Sequence, residues 1–273
     1  MCAAAGFLVM SYSGSRIWWM PPDGSLHGPV ADHLMWLNLV GLGLLFLLSQ
    51  VLLAYSLFRR NQQNFCSPER EKTELKDLHF FSRAKILFWK YELFPLIALT
   101  ILYTGLAIAA QRLWAANRFQ GASPQALQVE VTGVQFQWYF RYPGQDAAFG
   151  ATRPDLVNAP AGNPLGLDPT DPQGKDDIVS STLVLPAGRE VDLGIRSFDV
   201  IHGFFIPGMR VKQNAVPGME MHIHFTPTVP GDYPILCSQV CGLGHARMQA
   251  HLRVVPEREY EKWLAAHLPK ESR

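Results

Sequence analysis

From Leu34 to Phe58 the chain reads LMWLNLVGLGLLFLLSQVLLAYSLF, without a single charge. A helix of about 25 residues is about 37 Å long, more than the roughly 30 Å hydrocarbon core of a bilayer. Such a helix has no polar face to turn toward water, so a soluble core is a poor home for it. Arg59 and Arg60 stop it. A second stretch, Ile86 to Gln111, reads ILFWKYELFPLIALTILYTGLAIAAQ, and Arg112 and Trp114 close it. Lys90 and Glu92 sit near its start, where they can snorkel or face a partner protein. The two stretches predict a two-helix transmembrane hairpin. Its connecting loop holds Arg59, Arg60, Arg70, Lys72, Lys76, Arg83 and Lys85 against Glu69, Glu71, Glu74 and Asp77, whereas residues 1–33 hold only Arg16 as a basic group. The positive-inside bias puts the loop in the cytoplasm and everything after residue 112 on the outer face. The apolar start MCAAAGFLVM is short and lacks a basic flank, so it does not read as a cleaved signal.

From Gln125 the pattern changes. VEVTGVQFQWYFRYP, STLVLPAGREVDLGIRS, MEMHIHFTP and AHLRVVP are short, β-branched and aromatic runs with alternation, separated by Gly and Pro. They predict an all-β sandwich or barrel. Residues 143–177, rich in Pro, Gly, Asn and Asp, read as a long surface insertion, and EREYEKWLAAHL, from Glu257, has helical spacing. The expected divisions are an outer N-terminal segment (1–33), the hairpin with its cytoplasmic loop (34–112), the β domain (113–256) and a C-terminal helix and tail (257–273). A net charge of +1 excludes a basic nucleic-acid binder.

The four cysteines divide into isolated Cys2 and Cys66 and the pair in CSQVCGLGHARM, Cys237 to Met248. No CxxCH occurs, so no c-type haem attaches to this chain. The pattern C-x3-C-x3-H-x2-M combines thiolate, imidazole and thioether, a soft set that favours copper over hard cations. A blue-copper site needs one Cys, two His and a weak Met; here there is an extra cysteine, and two sulfurs can bridge two metals. The missing histidine must come from upstream, and SFDVIHGFFIPG offers His202. A Cys237–Cys241 disulfide or a zinc site are the competing readings. The disulfide leaves the His245 and Met248 spacing a coincidence, and Met is a poor zinc ligand. His222 and His224 point to one face of a predicted strand and read as a polar strand face, because His202 already completes the set. In the run from Gln135 to Phe140, Phe136 and Phe140 read as core, and an exposed Trp138 above the metal would contact a redox partner.

Across nearly its whole length the chain resembles subunit II of the haem–copper cytochrome c oxidases. The hairpin, the aromatic strand, DVIHGF, VKQNAVPG and PGDYPILCSQVCGLGHARM carry the resemblance. It implies a cupredoxin Greek-key β-barrel held on two transmembrane helices and a binuclear copper centre (copper A). Cys237 and Cys241 would bridge two copper ions, with His202 and His245 each binding one. Met248 and the backbone carbonyl of Gln239 would be the weak ligands. Trp138 matches the family's tryptophan where electrons from cytochrome c come in. Arg210 and Lys212 would face subunit I. Two departures stand out. Many members have Glu at the position of Gln239, where it also binds magnesium at the subunit interface; a neutral amide is a poorer ligand for that dication. Many also carry Glu at a proton-channel mouth, seven residues before the proline of helix two; Phe88 stands there, with Glu92 nearby as the candidate for proton uptake.

The implied function is the electron-accepting subunit of a respiratory cytochrome c oxidase in a bacterial cytoplasmic (inner) membrane. Its partners would be subunit I with haem and a further copper, subunit III, membrane lipid and a c-type cytochrome donor. Residues 125–256 hold twelve Asp/Glu and nine Lys/Arg, a mild negative balance compatible with a basic donor. Alternatives are the small subunit of a copper-containing nitric oxide reductase and a membrane-tethered copper carrier. A quinol oxidase subunit II lacks the copper ligands that this chain keeps.

Overall fold

The structure, a computed structural model, describes residues 20–65 and 93–268. Two helices, α1 (Gly28–Phe65) and α2 (Phe94–Arg118), are long and apolar enough to cross a membrane. Four of their polar side chains turn back on their own backbone. Asn38 Nδ2 donates to the Leu34 carbonyl at 2.7 Å, Ser49 Oγ to Phe46 at 2.7 Å, Ser56 Oγ to Leu53 at 2.8 Å and Thr100 Oγ1 to Leu96 at 2.8 Å. In hydrocarbon no water would serve these groups, so internal pairing is what makes them tolerable. Pro95 sits in the first turn of α2, where a missing N–H costs no helical bond. The helix runs on past Gln111, because RLWAANR holds good helix formers and no Gly or Pro until Gly121. Arg112 ends the apolar run and not the helix. Residues 66–92, which include Cys66, Phe88, Lys90 and Glu92, lie outside the described residues, as do Cys2 and Arg16.

The remainder is a two-sheet sandwich. Its strands are β1 (Leu127–Val134), β2 (Gln137–Tyr142), β3 (Ile178–Ser180), β4 (Thr182–Pro186), β5 (Val191–Ser197), β6 (His202–Ile206), β7 (Val211–Ala215), β8 (Met221–Phe225), β9 (Gly231–Cys237) and β10 (Gln249–Val255). One sheet has the order β3-β2-β1-β5-β8 and the other β4-β10-β9-β6-β7. β1 with β5 and β4 with β10 run parallel, and the other pairs are antiparallel. This is the all-β sandwich or barrel that the strand pattern predicted, and the cupredoxin barrel that the resemblance implied. Alternating inward residues fill the space between the sheets: Val129, Val131 and Phe140 from one side, Phe204, Ile206 and Leu252 from the other. α3 (Glu257–His267) closes one end with Trp263, whose ring meets Tyr142 edge-on at 4.9 Å.

β1 is buried on both faces, which simple alternation did not anticipate. Its outward Glu130 accepts from Arg141 Nη1 at 3.0 Å and Arg196 Nη2 at 2.9 Å. Arg141, itself buried, also pairs with Asp177 and donates to the Gly150 carbonyl. Asp177 receives the Gly150 N–H at 3.0 Å. The 143–177 insertion is therefore a fitted cover over a buried charge network, with Leu165 fully enclosed. The segment before α1 joins the same unit. Gly24 N–H donates to Gly208, Leu26 N–H to Thr226, and the Gly24 carbonyl accepts from Thr228 N–H.

Candidate metal centre

Strand pairing assembles the site. Phe204 of β6 lies opposite Cys237, the last residue of β9, so His202 and the β9–β10 loop emerge at one end of the same sheet. The loop folds back on itself: Cys237 N–H donates to the Met248 carbonyl at 3.2 Å, and His245 N–H to Gly242 at 3.1 Å. Ser238 N–H donates to the Gly203 carbonyl at 2.8 Å, pinning the start of the loop to β6.

Within that loop the soft atoms converge. The Sγ atoms of Cys237 and Cys241 stand 3.8 Å apart as free thiols. Cys241 Sγ lies 3.7 Å from His245 Nδ1 and 3.8 Å from Met248 Sδ. Cys237 Sγ is 3.2 Å from the Gln239 carbonyl oxygen. His202 is 0% exposed, and its ligand atom and the two cysteine sulfurs all lie within 4.8 Å of one another. With ligand bonds of about 2.0–2.3 Å, one ion closes such a span with small shifts. All six ligand positions expected from the resemblance, His202, Cys237, Gln239, Cys241, His245 and Met248, are thus in one cluster.

The imidazole of His202 carries a more pointed signal. Its Nε2 meets Asp199 Oδ1 at 2.8 Å, while its Nδ1 is buried with no hydrogen-bond partner. A carboxylate on one ring nitrogen fixes the tautomer and leaves the other lone pair aimed inward, the usual support of a metal-bound histidine. Burial pushes the Asp199 carboxyl up, but hydrogen bonds from His202 and from the Gln135 and Val200 N–H groups outweigh it and hold the carboxyl below its usual range. Burial, followed by hydrogen bonding and charge from Cys237, pushes the Cys241 thiol up to about 11. Two neighbouring thiolates repel, so a bound cation is what would let both ionise. The buried unpartnered nitrogen and the soft donor set fit copper.

Asp199 was not singled out by sequence, although its place three residues before His202 was a readable signal. The expectation for Trp138 is corrected. That side chain is 0% exposed, its ring edge-on to His202 at 5.7 Å and to Phe204 at 5.2 Å. It forms the floor under the imidazole and offers no surface to a redox partner. The exposed aromatic is Phe136, read beforehand as core; it is 37% exposed in the two-residue β1–β2 turn. It covers the copper loop at Gly244, where an added Cβ would lie 2.4 Å from its ring. Phe136 lies in the turn and Trp138 in β2, paired with Gly133, and that separates the two. Arg210 donates to the carbonyls of Pro207 at 2.6 Å and Pro21 at 3.0 Å. The Lys212 carbonyl accepts from Arg118. His222 meets Asp192 at 3.0 Å and His224 meets the Ala116 carbonyl at 2.7 Å, so that pair divides between two structural roles.

Comparison with known proteins places the chain in a family. The profile of the family described as "Cytochrome C oxidase subunit II, periplasmic domain" matches residues 127–255. The chain is 31% identical over 261 residues to the alternative cytochrome c oxidase subunit 2 of Bradyrhizobium diazoefficiens, covering 90% of this chain and 83% of that protein. This chain belongs to the cytochrome c oxidase subunit II family. It is also 27% identical over 250 residues to cytochrome c oxidase subunit 2 of Cereibacter sphaeroides, covering 86% of this chain and 76% of that one. Among solved structures, the periplasmic domain of subunit II of cytochrome oxidase from Bradyrhizobium japonicum is 27% identical, with a TM-score of 0.39 over 54% of this chain and 96% of that one. A membrane-anchored oxidase subunit with an outward β domain, in a family that implies copper binding, follows from the matches and the two apolar helices.

Proposed function

We propose that this chain accepts single electrons from a c-type cytochrome and passes them to haem in subunit I, where oxygen is reduced to water and protons are moved. The observation that carries this is the convergence of two thiols, a thioether and a carbonyl with the buried, unpartnered Nδ1 of His202. A copper pair held there would supply one-electron redox chemistry with its charge shared between two metals. The rest is the work of this chain. Cys237, Cys241, His202 and His245 would hold the copper, with Met248 and the Gln239 carbonyl as weaker ligands. Asp199 and Trp138 prevent the imidazole from turning, and a fixed cage has little reorganisation to oppose electron transfer.

Phe136 takes the place at the surface first given to Trp138. It lies exposed over the loop, where it would meet an incoming donor. Gln239 serves through its backbone, and its neutral amide leaves the family's magnesium role without an anionic ligand. In the bacterial inner membrane the hairpin would hold this domain on the periplasmic face, beside subunits I and III. The test is electron paramagnetic resonance of the full-length chain loaded with copper in detergent. Two equivalent coppers sharing one unpaired electron give a seven-line hyperfine pattern. A four-line spectrum, or one copper per chain at saturation, overturns the binuclear reading, as does a Cys241→Ser variant with an unchanged spectrum.

A further inference from the structure

All the proposed ligands come from one sheet, β6 and the β9–β10 loop, yet they arrive on two separate segments. His202 is reached through the β5–β6 loop, and the cysteines through the β9–β10 loop. One residue of the opposite sheet touches both. Gln135, in the β1–β2 turn, donates its backbone N–H to Asp199 Oδ2 at 2.7 Å, and the other oxygen of that carboxylate holds His202 Nε2 at 2.8 Å. The Gln135 side chain donates Nε2–H to the carbonyl of Cys241 at 2.6 Å. We propose that Gln135 is a positioning residue that locks the cysteine loop in register with His202, and that its side-chain amide is needed as a donor.

The copper loop is shaped to receive this clamp. Gly242 has φ +138, and a Cβ there would lie 2.9 Å from Gln135 Nε2 and 3.1 Å from the Phe136 ring. Any side chain at that position would force the amide off the Cys241 carbonyl and lift the ring beside it. The carbonyl that receives the amide belongs to a bridging cysteine, so a change in this bond moves a ligand directly. The second attachment is through the backbone and survives substitution. A change of side chain therefore isolates the link to Cys241 from the link to His202.

The proposal rests on the copper reading above, and the experiment separates the two. Gln135→Glu keeps the shape and removes the donor; Gln135→Asn keeps a donor on a shorter arm. Both variants and the wild type are prepared as full-length chain in detergent, loaded with copper, and followed by hyperfine pattern, reduction potential and rate of copper loss to a chelator. For Gln135→Glu the expected result is unequal sharing between the coppers, a displaced potential and copper loss about tenfold faster, the scale of losing a group that orients a ligand. Gln135→Asn should recover part of each effect. If Gln135→Glu matches the wild type in all three readings, the positioning role is overturned while the copper centre stands. The role is equally overturned if the variant only lowers the metal-free melting point, or if Gln135→Asn is as defective as Gln135→Glu. A wild-type chain that takes up no copper overturns both readings.

Discussion

Gly133 faces the imidazole of His202 from β1, and replacing it by alanine tests how tightly that ring is held. A Cβ at this position would lie 2.9 Å from His202 Cδ2, 3.2 Å from its Cγ and 3.0 Å from Trp138 Cζ3. Carbon atoms settle at about 3.5–4.0 Å, so the ring must retreat by roughly 0.6 Å or more. It has nowhere easy to go. Its Nε2 is tied to Asp199 at 2.8 Å, it is fully buried, and Trp138, the cross-strand partner of Gly133, already meets it edge-on. Overpacking of this kind costs about 1–3 kcal/mol. Loss of glycine's freedom in the unfolded chain returns about 0.4–1 kcal/mol. The net destabilisation expected is about 0.5–2 kcal/mol, measured by denaturant unfolding of the metal-free chain. The same displacement shifts Nδ1 relative to the sulfurs, so the copper-loaded variant should show altered hyperfine splitting and faster copper loss. The entropy term does not enter that second reading. Gly133→Ala with wild-type stability and a wild-type copper spectrum would refute the view that the imidazole is packed tightly against Gly133 and Trp138.

Other perturbations probe the rest of the molecule. Arg141→Met leaves Asp177 and Glu130 buried without their main cation and should cost about 3–5 kcal/mol in denaturant unfolding; since Arg196 still serves Glu130, adding Asp177→Asn should recover part of the loss. Burial pushes the Tyr260 phenol up to about 12, whereas in the unfolded chain it ionises near 10. Its contribution is therefore complete below pH 10 and is lost as pH rises to 12, about 2.7 kcal/mol at most; Tyr142, also raised by burial, acts in the same direction, so Tyr260→Phe should flatten only part of the alkaline fall in unfolding free energy. Phe136→Ala should slow electron uptake from a reduced c-type cytochrome about tenfold, the scale of one lost aromatic contact, with the copper spectrum intact. Trp138→Phe should do the reverse, shifting the spectrum while leaving the association step unchanged; if stopped-flow shows the opposite assignment, Phe136 is not the surface aromatic that matters.

The sequence by itself determined the classes of element and the chemistry of the loop. An uncharged run such as Leu34–Phe58 has one physical outlet, and its length alone announces it. The spacing of Cys237, Cys241, His245 and Met248 is local, so a single turn of chain brings most of the donors together, and their softness names the metal. What stayed hidden depends on contacts between distant segments. Trp138 and Phe136 are two residues apart in an aromatic run, and nothing in their letters says which one the β1–β2 turn leaves at the surface; the register Val134↔Gln137 decides it. Asp199 and Gln135 become supports of the site only because β1, β5 and β6 end beside one another. The Pro- and Gly-rich insertion looked like free surface until Arg141 and Asp177 tied it over the outer face of β1. Composition and periodicity set which groups seek water, oil or metal, whereas register and sheet order set which of them meet.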